Sequence, residues 1–154
     1  MSARTARTKL TASQEDYLEA VLLEVRRNGS ARVRDVAARL DVAMPSVTGA
    51  LKALAKRGLV NYQPYELITL TPRGRRLGEK VAGRHRALRE FFTDVLGVEP
   101  ATAERNACRI EHAVDDDLLE RLRSFAAFVA DDDRARGPVA AFKRRGARAK
   151  RKRP

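Results

Sequence analysis

The apolar positions of this chain fall into blocks whose spacing changes along its length. Tyr17, Leu18, Val21, Leu22 and Val25 recur at helical intervals, which predicts a helix with one buried face. Ser13, followed three residues later by Asp16, reads as its N-cap, and Asn28-Gly29 as its stop. Val33, Val36, Ala37 and Leu40 predict a short second helix, with a tight link at 41–43. Pro45 suits the first turn of a third helix. Its buried stripe is Val47, Leu51 and Leu54, and Gly58 stops it. Residues 60–62 and 67–70 alternate like two short strands around a Gln-Pro-Tyr-Glu turn at 63–66. Thr71-Pro72-Arg73-Gly74 then opens a long helix reaching about residue 96, ended by Gly97. Two more helices are expected at about 101–113 and 116–130.

The order helix, helix, turn, helix, hairpin is that of a winged helix-turn-helix. The expected fold is therefore mainly α: an N-terminal winged helix-turn-helix with a small two-stranded wing, followed by an all-helical domain. The expected boundaries are 1–76 for the winged helix-turn-helix, 77–133 for the helical domain, and 134–154 for a tail.

Charge changes this picture mainly at the ends. The chain has 154 residues and a net charge of +12. Residues 1–9 hold Arg4, Arg7 and Lys9 and no acid, while residues 134–154 hold ten basic residues and no acid. Between them, residues 10–76 have 11 basic and 7 acidic groups, and residues 77–133 have 8 and 13. A mildly basic first half suits a polyanion, and the acidic second half suits something cationic or an interface. Little apolar content and dense like charge predict that the tail is disordered. It reads either as a solubilising tail or as an arm on nucleic-acid phosphates. No apolar run is long enough for a membrane span and no secretory leader is apparent. The lone Cys108 makes no internal disulfide, so the expected location is the cytoplasm.

The third helix presents a short polar face. Ala43, Pro45, Ser46, Thr48 and Gly49 lie near its N-terminus, and Lys52 and Lys56 follow. Short side chains there can approach base edges in a major groove, and the lysines reach phosphates. Arg32 and Arg34, at the start of the second helix, join them as candidate DNA contacts. An ordinary trihelical bundle with a solvated face explains each residue singly, but pattern, hairpin and charge together favour double-stranded DNA.

The two histidines carry the remaining chemistry. His112 lies in Cys108-Arg109-Ile110-Glu111-His112, so on a helix Cys108, Glu111 and His112 share a face at i, i+3 and i+4. Asp16 and Glu19 share another face, and His85 sits between Arg84 and Arg86. Singly, each has a plain alternative. Asp16 favours the helix dipole, Cys108 fills a core, and His85 beside two arginines reads as surface. The thiol, carboxylate and imidazole together on one helix point to a metal.

With Glu15-Asp16-Tyr17-Leu18-Glu19, Arg84-His85-Arg86 and Ala107-Cys108-Arg109-Ile110-Glu111-His112 in this order around a winged helix, the chain resembles the diphtheria toxin repressor and manganese transport regulator family. The resemblance covers residues 12–131 and makes the all-helical 77–133 the metal-binding and dimerisation domain. It implies a metal-responsive repressor in which Mn(II) or Fe(II), two ions per subunit, is held by Asp16, Glu19, His85, Cys108, Glu111 and His112. It also implies a homodimer on an operator, repression of metal-uptake genes, no enzymatic activity and no small-molecule substrate. Asp16 and Glu19 match the manganese branch, whereas Cys108 matches the iron branch. The iron branch's ancillary site expects Glu where Arg89 stands and His where Glu104 stands. Many members have a polar residue where Gly49 lies, and Glu66 in the wing would repel phosphate. Two rivals need no such metal switch: a metal-independent winged-helix regulator, and a small metallohydrolase.

Overall fold

The computed structural model describes residues 9–151, which form seven α-helices and one two-stranded antiparallel sheet. The basic residues Arg4, Arg7, Lys152 and Arg153 lie outside the described residues. The chain divides into two compact units at Val81 and Ala82, inside the fourth helix.

In the first unit, α1 (Ala12–Asn28) is capped by Thr11 and not by Ser13. Thr11 Oγ1 accepts from the Gln14 N–H, and Gln14 Oε1 accepts from the Thr11 N–H, both at 3.2 Å. This reciprocal box satisfies two N–H groups that a cap at Ser13, already inside the helix, would leave unpaired. Gly29 ends α1 in the left-handed conformation, φ 79°, with its N–H on the Val25 carbonyl. α2 (Val33–Leu40) and α3 (Met44–Lys56) follow as the periodicity predicts. Leu18, Val21, Leu22, Val36, Val47, Leu51, Leu54, Leu59 and Ile68 are wholly buried. Glu24 is also buried, held by Arg39 at 2.8 Å and Asn28 at 3.0 Å, a paired charge that ties α1 to α2.

The wing is shorter than its alternating pattern suggests. β1 (Val60–Asn61) pairs with β2 (Thr69–Leu70). Pro64 has no N–H for a ladder and Tyr65 is left-handed at φ 68°, so the turn takes residues from both strands. A separate bridge, Ala31 to Ile68, fastens the wing's second arm to the segment before α2.

α4 (Pro72–Glu90) begins on Thr71, whose hydroxyl accepts from the Gly74 N–H at 2.9 Å. It ends before residue 96, passing into a π-helical turn, Phe91–Val95. The second unit adds α5 (Pro100–Ile110) and α6 (Asp116–Asp131) around Leu88, Ala107 and Leu119. Glu99 caps α5, accepting from the N–H groups of Ala101 and Thr102, and these bonds hold its carboxyl below the usual range.

The segment expected to be disordered is instead helical through Arg151, as α7 (Asp133–Arg151). Composition missed three local forces. Asp132 accepts from the Arg134 N–H at 2.8 Å. The acidic start and basic end of the helix both suit its dipole. Ala135, Val139, Ala140 and Lys143 are partly buried, and the Lys143 ammonium donates to the Asp94 carbonyl at 2.9 Å. These offset the donor that Pro138 lacks.

A Cβ at Gly74 would stand 1.7 Å from the Leu59 carbonyl oxygen, whereas one at Gly49 meets nothing within 4 Å. Gly74→Ala is therefore expected to destabilise by at least about 1–3 kcal/mol. Gly49→Ala should stabilise by about 0.5–1 kcal/mol. Thermal unfolding followed by far-UV circular dichroism measures both, and equal melting temperatures for the two variants would refute the packing argument.

Candidate metal centre

His85 lies in the second half of α4, on a turn gripped by α6. Arg123 donates to the Gly83 carbonyl at 3.1 Å, and Arg84 pairs with Asp116 at 3.7 Å. The two residues just before His85 are therefore both tied to α6, which fixes the turn that carries the ring. Although two arginines flank it, His85 is no surface residue; its side chain is only 13% exposed.

α5 supplies the partners. Glu104, Cys108 and Glu111 recur at i, i+4 and i+7, so one face carries all three. His85 Nδ1 lies 2.7 Å from Glu111 Oε2, and Nε2 lies 2.9 Å from Glu104 Oε1. Cys108 Sγ is 3.8 Å from His85 Nδ1. The helix proper stops at Ile110, but the Glu111 N–H still bonds the Ala107 carbonyl at 3.0 Å. That bond keeps Glu111 and His112 in helical phase for one further turn. The second Glu111 oxygen lies 3.4 Å from His112 Nε2. Glu111 is 1% exposed, so the centre has a buried carboxylate floor, while Glu104 and Cys108 stand at an open mouth.

Of the expected ligands, the second unit thus brings together His85, Cys108, Glu111 and His112. In the first unit, α1 places Asp16 and Glu19 one turn apart, both partly buried. Glu104 was missed as a candidate, although its position four residues before Cys108 is the same periodicity signal that exposed the others. Donor atoms of His85, Glu104 and Cys108 all lie within 4.8 Å of one another. Donors bound to one ion at about 2.0–2.3 Å stand roughly 3–4 Å apart, so this set suits a divalent transition metal.

The DNA candidates gather in the first unit. Arg32, Arg34, Ala43, Pro45, Ser46, Gly49, Lys52 and Lys56 are exposed, and Thr48 is partly so. A cleft of about 560 Å³ is lined by Arg32, Arg34, Thr48 and Lys52 together with Tyr62 and Tyr65 of the wing. Tyr65 is fully exposed at the tip, and Met44 is 55% exposed beside the cleft. Neither was singled out from sequence. An exposed aromatic in a turn, visible in the Gln-Pro-Tyr-Glu motif, is the signal that would have found Tyr65.

Two family models together cover most of the chain. Residues 9–67 match the family model "Iron dependent repressor, N-terminal DNA binding domain", and residues 71–136 match "Iron dependent repressor, metal binding and dimerisation domain". An uncharacterized HTH-type transcriptional regulator of Methanocaldococcus jannaschii is 37% identical over 117 residues, covering 75% of this chain and 94% of that one. The HTH-type transcriptional regulator MntR of Geobacillus kaustophilus is 32% identical, covering 80% and 87%. A solved manganese-dependent transcriptional repressor in complex with manganese superposes with a TM-score of 0.67 at 28% identity. That match covers 75% of this chain but 53% of the other, so the chain spans about half the length of that solved relative. The IdeR structure of T. acidophilum shares the fold, with a TM-score of 0.65 at 24% identity.

The fold and the matches define a winged-helix transcriptional regulator of the metal-dependent class. The chain belongs to the iron-dependent repressor family, which includes the diphtheria toxin repressor and MntR. Its members are transcriptional regulators, so the metallohydrolase reading falls away. Among the described residues, no helix is long and apolar enough to cross a membrane.

A cation bound at these donors would stabilise the folded chain by an amount that grows with the logarithm of its concentration above Kd. Mn(II) or Co(II) at about 100 times its Kd should add about 2.7 kcal/mol of stability, read as a rise in melting temperature. Glu111→Gln and His85→Ala should each reduce that rise, and an unchanged rise in both would refute ligation here.

Proposed function

We propose that this chain is a metal-responsive repressor. On this reading Mn(II) or Fe(II) promotes its binding to an operator and represses genes of metal uptake. The observation that carries the reading is the convergence of His85, Cys108, Glu111 and His112, with Glu104 beside them, in the unit matched by a metal-binding domain. Asp16 and Glu19 complete the ligand set from α1. Two ions per subunit come close to matching the charge. Asp16, Glu19, Glu104, Glu111 and an ionised Cys108 carry five negative charges, of which two divalent cations would balance four.

Neither half of the chain needs new chemistry for this. A bound metal would supply positive charge to acids that otherwise repel one another, with His85, Cys108, Glu111 and His112 as its ligands in the second unit and Asp16 and Glu19 as those expected from α1. By linkage, whatever factor metal adds to DNA affinity, DNA adds to metal affinity. Ser46, Thr48 and Gly49 would face base edges, with Arg32, Arg34, Lys52 and Lys56 on phosphates. Ala43 and Pro45 set the entry of the recognition helix. The expected location is the cytoplasm, where an operator is reached.

Two-fold assembly would read two half-sites about one helical turn apart. The second unit offers an apolar face for it. Leu118, Phe125 and Phe128 are 54%, 46% and 52% exposed. Phe125 contacts Phe91 and Phe128 with ring centroids 6.2 and 6.4 Å apart. Such a patch fits a second copy of the chain, as a dimerisation domain requires.

The test uses a duplex selected from random sequences by the chain in the presence of Mn(II). Saturating Mn(II), or Fe(II) without oxygen, should raise its affinity about 5–150-fold over chelator. Asp16→Ala and His112→Ala should remove most of that gain without changing the affinity in chelator. Identical affinity with chelator and with either metal would sink the proposal. Separately, Co(II) should produce a thiolate charge-transfer band in the near ultraviolet that Cys108→Ser abolishes, and a band that survives the substitution would remove Cys108 from the ligand set.

A further inference from the structure

α7 lies almost wholly beyond the family match, which ends at residue 136. Two of its cations are spent on holding it in place. Arg136 donates to the Ala130 carbonyl and pairs with Asp133 at 3.0 Å, and Lys143 reaches the Asp94 carbonyl at 2.9 Å. Ala135, Val139 and Ala140 are partly buried with them. At 100° per residue, Arg134 and Arg145 fall on the opposite face from Val139 and Lys143, with Arg144 at its edge. All three of these arginines are exposed.

The helix also reverses the charge of its half of the chain. Residues 77–133 carry 8 basic and 13 acidic groups, and residues 134–154 add ten basic groups and no acid. Without α7 and the residues after it, the second unit would repel a duplex. With them it attracts one. Arg134 and Arg145, eleven residues apart on the helix, stand about 16 Å from one another, the length of about five base pairs, so the basic face matches an extended polyanion better than a point ligand.

We propose that α7 is a second, sequence-independent DNA contact, made to the sugar-phosphate backbone and not to the bases. A membrane surface would need a free apolar face on the helix. The apolar residues of α7 are instead partly buried on its own unit, and Phe142 is its single exposed large apolar side chain among the described residues. The proposal rests on the DNA-binding reading but not on the metal.

The experiment compares the full chain, R144E/R145E and a chain ending at Arg136. Each is titrated with a fluorescent duplex of about 30 random base pairs, in chelator, between about 50 and 200 mM salt. The double variant should flatten the slope of log affinity against log salt by about two, and the truncation by more. Affinity should fall by the same factor for every duplex sequence. R144E/R145E changes only exposed groups, and an unchanged circular dichroism spectrum confirms its fold. Superimposable salt slopes would overturn the proposal. So would a loss seen on phosphatidylglycerol vesicles with duplex binding intact. Failure of the metal reading is seen separately, as a full chain whose duplex affinity ignores Mn(II) while its salt slope still depends on α7.

Discussion

The second unit is organised around one buried carboxylate. Glu111 is 1% exposed, with one oxygen 2.7 Å from His85 and the other 3.4 Å from His112. An ionised carboxylate out of water costs several kcal/mol unless positive or hydrogen-bonding groups surround it. Here two imidazoles do so, and they come from different elements. Satisfying Glu111 therefore fixes the approach of α4 to α5. That approach brings Cys108 and Glu104 to the same ring. The same constraint explains why α6 grips the peptide just before His85. An imidazole that must meet carboxylates on both nitrogens tolerates little rotation of the helix that carries it.

Much of this was legible in the sequence because it depends on local periodicity. The i, i+3, i+4 spacing of Cys108, Glu111 and His112 survives even though the α-helix formally ends at Ile110, since the Glu111 N–H still bonds Ala107. The stripe Val47, Leu51 and Leu54 is buried as its spacing demands. Features set by tertiary contact were not legible. His85 looked like surface because its neighbours are arginines, but Arg84 is itself buried and turned toward Asp116. Glu104 looked like a departure from a family pattern and is instead His85's closest partner on the open side. The α7 segment reads as disordered by composition, because composition does not register where charges lie along a helix or what its apolar residues dock on.

The DNA face shows the same split between local and tertiary information. The short residues at the start of α3 follow from sequence, and so does their exposure. Their grouping with Arg32 and Arg34 depends on the bridge between Ala31 and Ile68, which draws the wing toward the start of α2. The wing tip then presents Tyr65, not a basic side chain, next to Glu66. A wing built this way offers shape and stacking area more than positive charge. Exposed positive charge lies instead on Arg32 and Arg34 and on the two lysines of α3.

The composition of the centre bears on which ion it selects. Affinity alone orders divalent metals with copper and zinc far above manganese and iron, whatever protein donors are present. A set containing a thiolate strengthens that bias. Any preference for a harder ion at these donors would then rest on geometry and on the ions that reach the site. The arrangement supplies the first of these. Glu104 and Cys108 are exposed at the mouth, whereas Glu111 is fixed at the floor. A soft ion satisfied by Cys108 and His85 alone would draw His85 from Glu111 and leave that buried carboxylate with His112 only. An ion that accepts more oxygen donors engages the buried carboxylate as well. On this argument the discriminating residue would be Glu111 and not Cys108, because only an ion that reaches the floor compensates the buried carboxylate once His85 turns to the metal.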